Sequence, residues 1–344
     1  MPDPPGEFEL IEALRERARA AGVPAGSSRL VLGSGDDAAV VAAGGAEVTS
    51  VDMLVDGVHF DLDLTPPRSV GHKALASALS DLAAMGAQAG EAYVQLGLPA
   101  EVDAELCLEL ADGLAAVAAR DGVAIAGGDV SRAPALILAL TVVGHLDAPE
   151  DAVSRAGALE GDAVAVTGEL GGAAAGLAAL RDPAVGARLD PAVLAALRRR
   201  QEEPEPRLAA GAALAACGAT AMIDVSDGLG ADAGHIAAAS GVAIAIDLAA
   251  VPVQAGVEEV AAAAGADALD LAAAGGEDYE LVATVPAGRL AEARDTVAAT
   301  GVELTEIGAA GAGAGVELTD PAGRTRAAAG FDQLAPQRAR GARS

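Results

Sequence analysis

Asp224-Val225-Ser226-Asp227-Gly228-Leu229 is the stretch on which the reading of this 344-residue chain turns. The apolar lead-in from Ala219 to Val225 predicts a strand, Gly228 ends it, and a helical pattern follows from Gly230 to Ser240. A strand here hands two carboxylates and a hydroxyl to a helix start. An aspartate in an apolar strand is costly to bury unless it is paired or binds a cation. Four other acidic clusters are therefore expected to converge on this one: Gly35-Asp36-Asp37, Ser50-Val51-Asp52, Ser80-Asp81-Leu82 and Gly127-Gly128-Asp129.

Around these clusters the chain alternates helix and strand. Glu7 to Ala21 carries Phe8, Leu10, Ile11 and Leu14 at helical spacing, and a strand over Glu47 to Phe60 places Ser50 and Asp52 on one face, with His59 at its far end. An Ala- and Leu-rich helix over Ser69 to Ala84 carries Asp81 near its C-terminus, where a carboxylate opposes the helix dipole and a cation is the simplest compensation. A strand (Glu91 to Leu98), a helix (Val102 to Arg120), a short strand ending in Gly127-Gly128-Asp129 and a long strand to Leu146 complete this half.

Ala148-Pro149-Glu150-Asp151 is a polar, proline-marked link, so two domains are expected, residues 1–148 and 149–344, with a flexible tail after about 335. In the second half, residues 181 to 206, including Arg198-Arg199-Arg200, are expected to be a solvated helix end and loop. Ala274 to Leu281 reads as a glycine turn entering a strand.

Asp and Glu number 50 against 22 Lys and Arg, a formal charge of −28, which excludes a nucleic-acid surface because phosphate binding needs clustered cations. Cys107 and Cys217 stand far apart in apolar helical contexts and read as core thiols of a reducing compartment. With no signal-peptide pattern and no run of about 18 strongly apolar residues, a cytoplasmic protein without a membrane span is expected.

Seven aspartates, Asp36, Asp37, Asp52, Asp81, Asp129, Asp224 and Asp227, sit beside glycines or at element ends. Oxygen-only donors suit a hard cation such as Mg²⁺, which keeps several waters and bridges phosphate oxygens. Phosphoryl transfer is then the leading class. No G-x-x-x-x-G-K-[ST] loop and no His-Arg-Asp or Asp-Phe-Gly triplet occurs, and Lys73 is the only lysine, so the P-loop and protein-kinase designs are excluded.

Six motifs in order carry a resemblance: Gly33 to Ala39, Ser50 to Phe60, Ala78 to Ala87, Gly127-Gly128-Asp129, Ile223 to Leu229 and Gly275 to Leu281. Together, across residues 6 to 335, the chain resembles the thiamine-monophosphate kinase family of the aminoimidazole ribonucleotide synthetase superfamily. The resemblance implies an α/β (α+β) two-domain aminoimidazole ribonucleotide synthetase-like fold, with an N-terminal mixed sheet that forms a homodimer and a C-terminal α/β domain. It implies ATP and thiamine monophosphate as substrates, in-line transfer to give thiamine diphosphate, and several Mg²⁺ ions.

Carried over by position, Asp37, Ser50, Val51, Asp52, Asp81, Asp129, Asp224 and Asp227 match metal ligands, Val51 through its carbonyl. Gly128, Arg155 and Ser226 match ATP contacts, and His59, Glu277 and Phe331 match contacts to the thiamine substrate. No general base is assigned; Asp227 is also expected to cap the following helix. The alternatives are another ATP-using synthetase of the superfamily and a non-catalytic acidic metal-binding protein.

Overall fold

The computed structural model describes residues 7–24, 29–32, 40–42 and 44–331. Asp36, Asp37 and most of their glycine loop lie outside the described residues, as does the chain after Phe331. The first half runs α1 (Glu7–Ala20), β1 (Leu30–Leu32), β2 (Val40–Val41), β3 (Ala46–Val55), α2 (Pro67–Ala84), β4 (Gln88–Leu98), α3 (Ala104–Asp121), β5 (Ala124–Arg132) and β6 (Ile137–Leu146). Its main sheet has the order β3-β6-β4-β5, antiparallel except where β4 lies parallel to β5 across the α3 crossover.

β7 (Asp162–Thr167), α4 (Gly172–Arg181), α5 (Pro183–Gly186), α6 (Pro191–Glu202), α7 (Leu208–Ala216), β8 (Ala221–Asp224) and α8 (Leu229–Ser240) open the second half. It closes with β9 (Ala243–Asp247), α9 (Val257–Ala264), α10 (Ala268–Ala274), β10 (Leu281–Pro286), α11 (Leu290–Ala298), β11 (Leu304–Gly311), β12 (Gly315–Thr319) and β13 (Thr325–Arg326). The seven strands order as β13-β12-β9-β11-β7-β10-β8, with only β9 and β12 parallel. β8 is therefore an edge strand, and its last residue, Asp224, pairs with Leu281 at the start of β10.

α2 is the hinge of the architecture. Pro67 starts it, where a missing N–H costs nothing, and its body is almost all Ala, Leu and Ser, small enough to be covered on nearly every side. Leu75, Leu79 and Leu82 are fully buried, each contributing roughly 1.5–3 kcal/mol. Near its end, Ala83 and Ala84 join the core of the second half with Leu214 and Met222. α3 crosses α2 at backbone contact: a Cβ on Gly113 would lie 1.8 Å from the Arg68 carbonyl oxygen.

Two expectations are corrected here. β5 does not end at Gly127-Gly128-Asp129 but runs through it to Arg132. The glycines serve sheet packing, since a Cβ on Gly128 would sit 2.2 Å from the Val94 carbonyl oxygen. Residues 181 to 206 are only in part the solvated helix end and loop expected: Arg198-Arg199-Arg200 fall at the end of α6, but Asp182 and Asp190 accept from the Ala184 and Ala192 amides to start α5 and α6, and α6 turns Leu197 and Gln201 inward. Charge composition hid an amphipathic helix.

Gly113→Ala should destabilise the chain by about 1–3 kcal/mol, because α2 and α3 must part to admit the methyl group. A chemical-denaturation midpoint equal to that of the unsubstituted protein would count against this close crossing.

Candidate active site

A cleft of about 550 Å³ opens between the halves, lined by Asp52, His59 and Asp81 from one and Asp224, Ser226, Asp227, Glu277 and Phe331 from the other. α2 forms its floor. Ser69, Lys73, Ser77 and Ser80 recur at spacings of three and four, which puts them on one helix face. Each meets a carboxylate: Ser69 Oγ donates to Glu203 at 2.9 Å, Lys73 Nζ lies 2.6 Å from Glu277, Ser77 Oγ donates to Asp52 at 2.8 Å, and Ser80 Oγ to Asp224 at 2.7 Å. Ser50 on β3 donates to Asp81 at 2.5 Å.

At Asp81 and Asp224 the serine hydroxyl does not offset the desolvation. Burial pushes Asp224 up to about 7, the Asp81 charge adds to it, and the Ser80 hydrogen bond opposes it. Asp81 is raised by burial, against the Ser50 hydrogen bond, and by the charge of Asp52; the Arg155 guanidinium draws both Asp81 and Asp224 down. Oxygen-only carboxylates that repel one another fit a hard divalent cation. Among the described residues no three His, Cys or acidic side chains close on one point.

The loop after β8 is held in a way the sequence reading did not foresee. Asp227 is not the helix cap; Gly228 occupies that position without a side-chain hydrogen bond. Instead Asp232, in the first turn of α8, accepts the backbone N–H groups of Ser226, Asp227 and Gly228 at 3.1, 3.1 and 3.0 Å. A carboxylate placed there is favoured by the helix dipole and gathers three donors at once. Burial, then the charge of Asp227, still pushes Asp232 up to about 7 against those hydrogen bonds.

The Gly275–Glu280 segment lies alongside. Glu277 N–H donates to the Ser226 carbonyl, Tyr279 N–H to that of Val225, and Val225 N–H to that of Glu280. Glu277 and Tyr279 adopt φ of +69° and +50°, a conformation that costs side-chain-bearing residues of order 1–3 kcal/mol. Two side-chain anchors hold it. Asp278 accepts from the Gly171 and Ala173 amides at the start of α4. Glu280 is clasped by Arg207 at 2.6 and 2.8 Å, by Arg200 and by Thr167, so that despite burial it is held below the usual range. Burial, partly offset by Arg200, pushes Asp278 up to about 6. Tyr279, hydrogen-bonded with Ser77, is raised by burial and then by the charges of Glu277, Asp52 and Asp224.

Among the described residues, the fold brings Ser50, Asp52, His59, Asp81, Ser226, Asp224, Asp227, Glu277 and Phe331 to this one region. His59 Nδ1 accepts the Val55 amide at 3.0 Å, and Phe331 is tied in by its N–H to the Asp227 carbonyl at 2.9 Å. The Val51 side chain is 70% exposed, on the sheet face opposite Asp52. Gly128 and Asp129 are not brought in. Gly128 stands in register with Asp52 through Leu140 and Val94, three strand spacings or roughly 14 Å away. Both line a separate cavity of about 330 Å³ beneath α1. Sequence reasoning missed Lys73, Ser77, Gln201, Tyr279 and Asp232; the one available signal was a lone lysine in the α2 stripe.

Two facing domains with an acidic cleft between them define the class. The model described as AIR synthase related protein, N-terminal domain matches residues 35–146, and its C-terminal-domain counterpart matches residues 160–321. The chain is 44% identical over 296 residues to the thiamine-monophosphate kinase of Mycobacterium tuberculosis, covering 82% of this chain and 83% of the relative. It is similar in structure to the thiamine-monophosphate kinase of Stenotrophomonas maltophilia, with a TM-score of 0.80, 37% identity and coverage of 89% and 95%. Another solved neighbour, AaThiL complexed with AMPPCP and TMP, has a TM-score of 0.73 at 27% identity, with coverage of 94% and 96%. The chain belongs to the thiamine-monophosphate kinase family.

The raised carboxyls set a pH dependence. Asp224 and Asp232 at about 7 and Asp278 at about 6 exceed their ordinary value of 3.8, so the folded state holds protons that the unfolded state releases. The stability this confers is complete below pH 3.8 and is lost as pH rises through 6 to 7. In EDTA the thermal midpoint should fall from about pH 5 to about pH 8, and Asp224→Asn should flatten that fall. An identical slope in the variant would remove Asp224 from the titrating set.

Proposed function

We propose that the chain is an ATP-dependent kinase that converts thiamine monophosphate to thiamine diphosphate by direct in-line phosphoryl transfer. The observation that carries this is the cleft to which both halves contribute carboxylates, Asp52 and Asp81 from one side and Asp224 and Asp227 from the other, in a member of this family. Asp52, Asp81, Asp224 and Asp227, with Ser50, the Val51 carbonyl, Asp37 and Asp129, are the proposed Mg²⁺ ligands. Bound Mg²⁺ would supply charge neutralisation between two anionic substrates and so invert the local field.

The protein's share is positioning. Ser226, Arg155 and Gly128 are assigned to ATP, and His59, Glu277 and Phe331 to the acceptor. The acceptor phosphate, with a second pKa of about 6, is already ionised at neutral pH, so no general base is required. Asp232 and the Glu280 clasp fix the two loops before substrate arrives, which lowers the reorganisation needed at the moment of transfer.

A homodimer formed through the N-terminal sheet is part of the proposal. Its support is the outer face of β3, where Val51 and Met53 are 70% and 50% exposed. A second copy on that face is the proposed means of completing the site around Gly128 and Asp129, with closure across the division near residue 149. No helix among the described residues is long and apolar enough to cross a membrane. The proposed setting is the cytoplasm, where ATP is abundant and the buried thiols Cys107 and Cys217 stay reduced.

Purified protein with Mg²⁺ should convert ATP and thiamine monophosphate to ADP and thiamine diphosphate, and EDTA should abolish the conversion. Release of free phosphate alone would overturn the proposal in favour of another ATP-using member of the superfamily. Asp52→Asn and Asp224→Asn should each lower turnover at least about a hundredfold, since each withdraws a charged ligand. A rate near that of the unsubstituted enzyme would exclude that residue from the site.

A further inference from the structure

Lys73 is the only lysine among 22 basic residues, and among the described residues lining the cleft it is the cation that the fold buries, beside Glu277. Its side chain is 3% exposed, against 29% for Glu277, whose Oε1 lies 2.6 Å from Nζ. Gln201 Nε2 donates to the second oxygen, Oε2, at 2.7 Å. Glu277 is thus gripped from both sides, by α2 of the N-terminal half and by α6 of the C-terminal half. The domains have other ties, Ser69 to Glu203 and Ser80 to Asp224, so the ion pair is not needed merely to join them.

We infer that Lys73 is a positioning residue that sets acceptor binding by holding Glu277, and the inference rests on the acceptor-side role proposed for Glu277. The backbone of Glu277 is strained at φ +69°, and its half-buried carboxylate, deprived of its cation, swings toward water. Removing the ammonium releases the rotamer that Lys73 and Gln201 fix. The acceptor wall then loses its shape while Ser226 and the Asp232 loop beneath it, on the ATP side, keep their own hydrogen bonds. A compact ammonium on a flexible stem fits this narrow gap, where the planar fork of arginine presents more donors than the single oxygen accepts.

The test is the steady-state kinetics of Lys73→Met, Lys73→Arg, Glu277→Gln and the Lys73→Met/Glu277→Gln double variant. Lys73→Met should raise KM for thiamine monophosphate at least about tenfold and leave KM for ATP within about twofold, with Lys73→Arg recovering part of the loss. The double variant should be no worse than the worse single one, since the two residues act as a unit. Additive losses, an unchanged acceptor KM, or equal rises in both KM values would overturn the inference. If Lys73→Met does not fold, the comparison passes to Lys73→Arg: an acceptor KM equal to that of the unsubstituted enzyme with Glu277→Gln also silent would overturn it. Failure of the unsubstituted chain to phosphorylate thiamine monophosphate would instead sink the acceptor reading, and the inference with it.

Discussion

A carboxylate taken out of water must be given a partner, and in this fold the partners come chiefly from one face of one helix. α2 supplies Ser69, Lys73, Ser77 and Ser80 to Glu203, Glu277, Asp52 and Asp224 in turn. These contacts cross the domain boundary at three of four positions, so the helix that fills the N-terminal core also fixes where the C-terminal loops sit. The Ala-rich composition of α2 makes this geometry possible, because small side chains admit close neighbours on every face.

What α2 provides is enough to fold the site and not enough to neutralise it. Asp224 and Asp81 remain raised by burial and by their neighbours' charges, with the Arg155 charge opposing the shift at both. Anionic crowding of this kind is stable only when protons or cations share the cleft, which ties the stability of the protein to the same ions that its chemistry is proposed to use. The loops themselves are fixed by other means. Asp232 gathers the amides before α8, and the Asp278 and Glu280 anchors hold a strained segment between two rigid elements.

Much of the site was legible because its chemistry forces unusual residues into unusual places. An aspartate in an apolar strand, as at Asp52 and Asp224, announces itself, and the paired glycines before Glu277 mark a backbone that must turn sharply. The serine donors were not legible, since a serine in a buried helix reads as a small neutral residue until its acceptor is known. Asp232 was hidden for a similar reason: an acid in a first helical turn is ordinary, and nothing local says that it serves three amides. The 181–206 region misled because its charge run masked the inward face of α6, where Gln201 and Arg200 reach the site.

By itself the sequence determined the two-domain α/β plan, the strand-end placement of Asp224, the family and the class of chemistry. The plan, the strand end and the class of chemistry rest on local signals, namely hydrophobic period, glycine position and residue type, while the family rests on the resemblance carried by six motifs in order. Only the tertiary structure decided which carboxylates share a cleft. Asp52, Asp81, Asp224 and Asp227 converge because α2 packs between two sheets, while Asp129 stands on the far strand of its own sheet beneath α1. Distance across a sheet depends on strand order, and the β3-β6-β4-β5 order is set by long-range packing that no local pattern encodes.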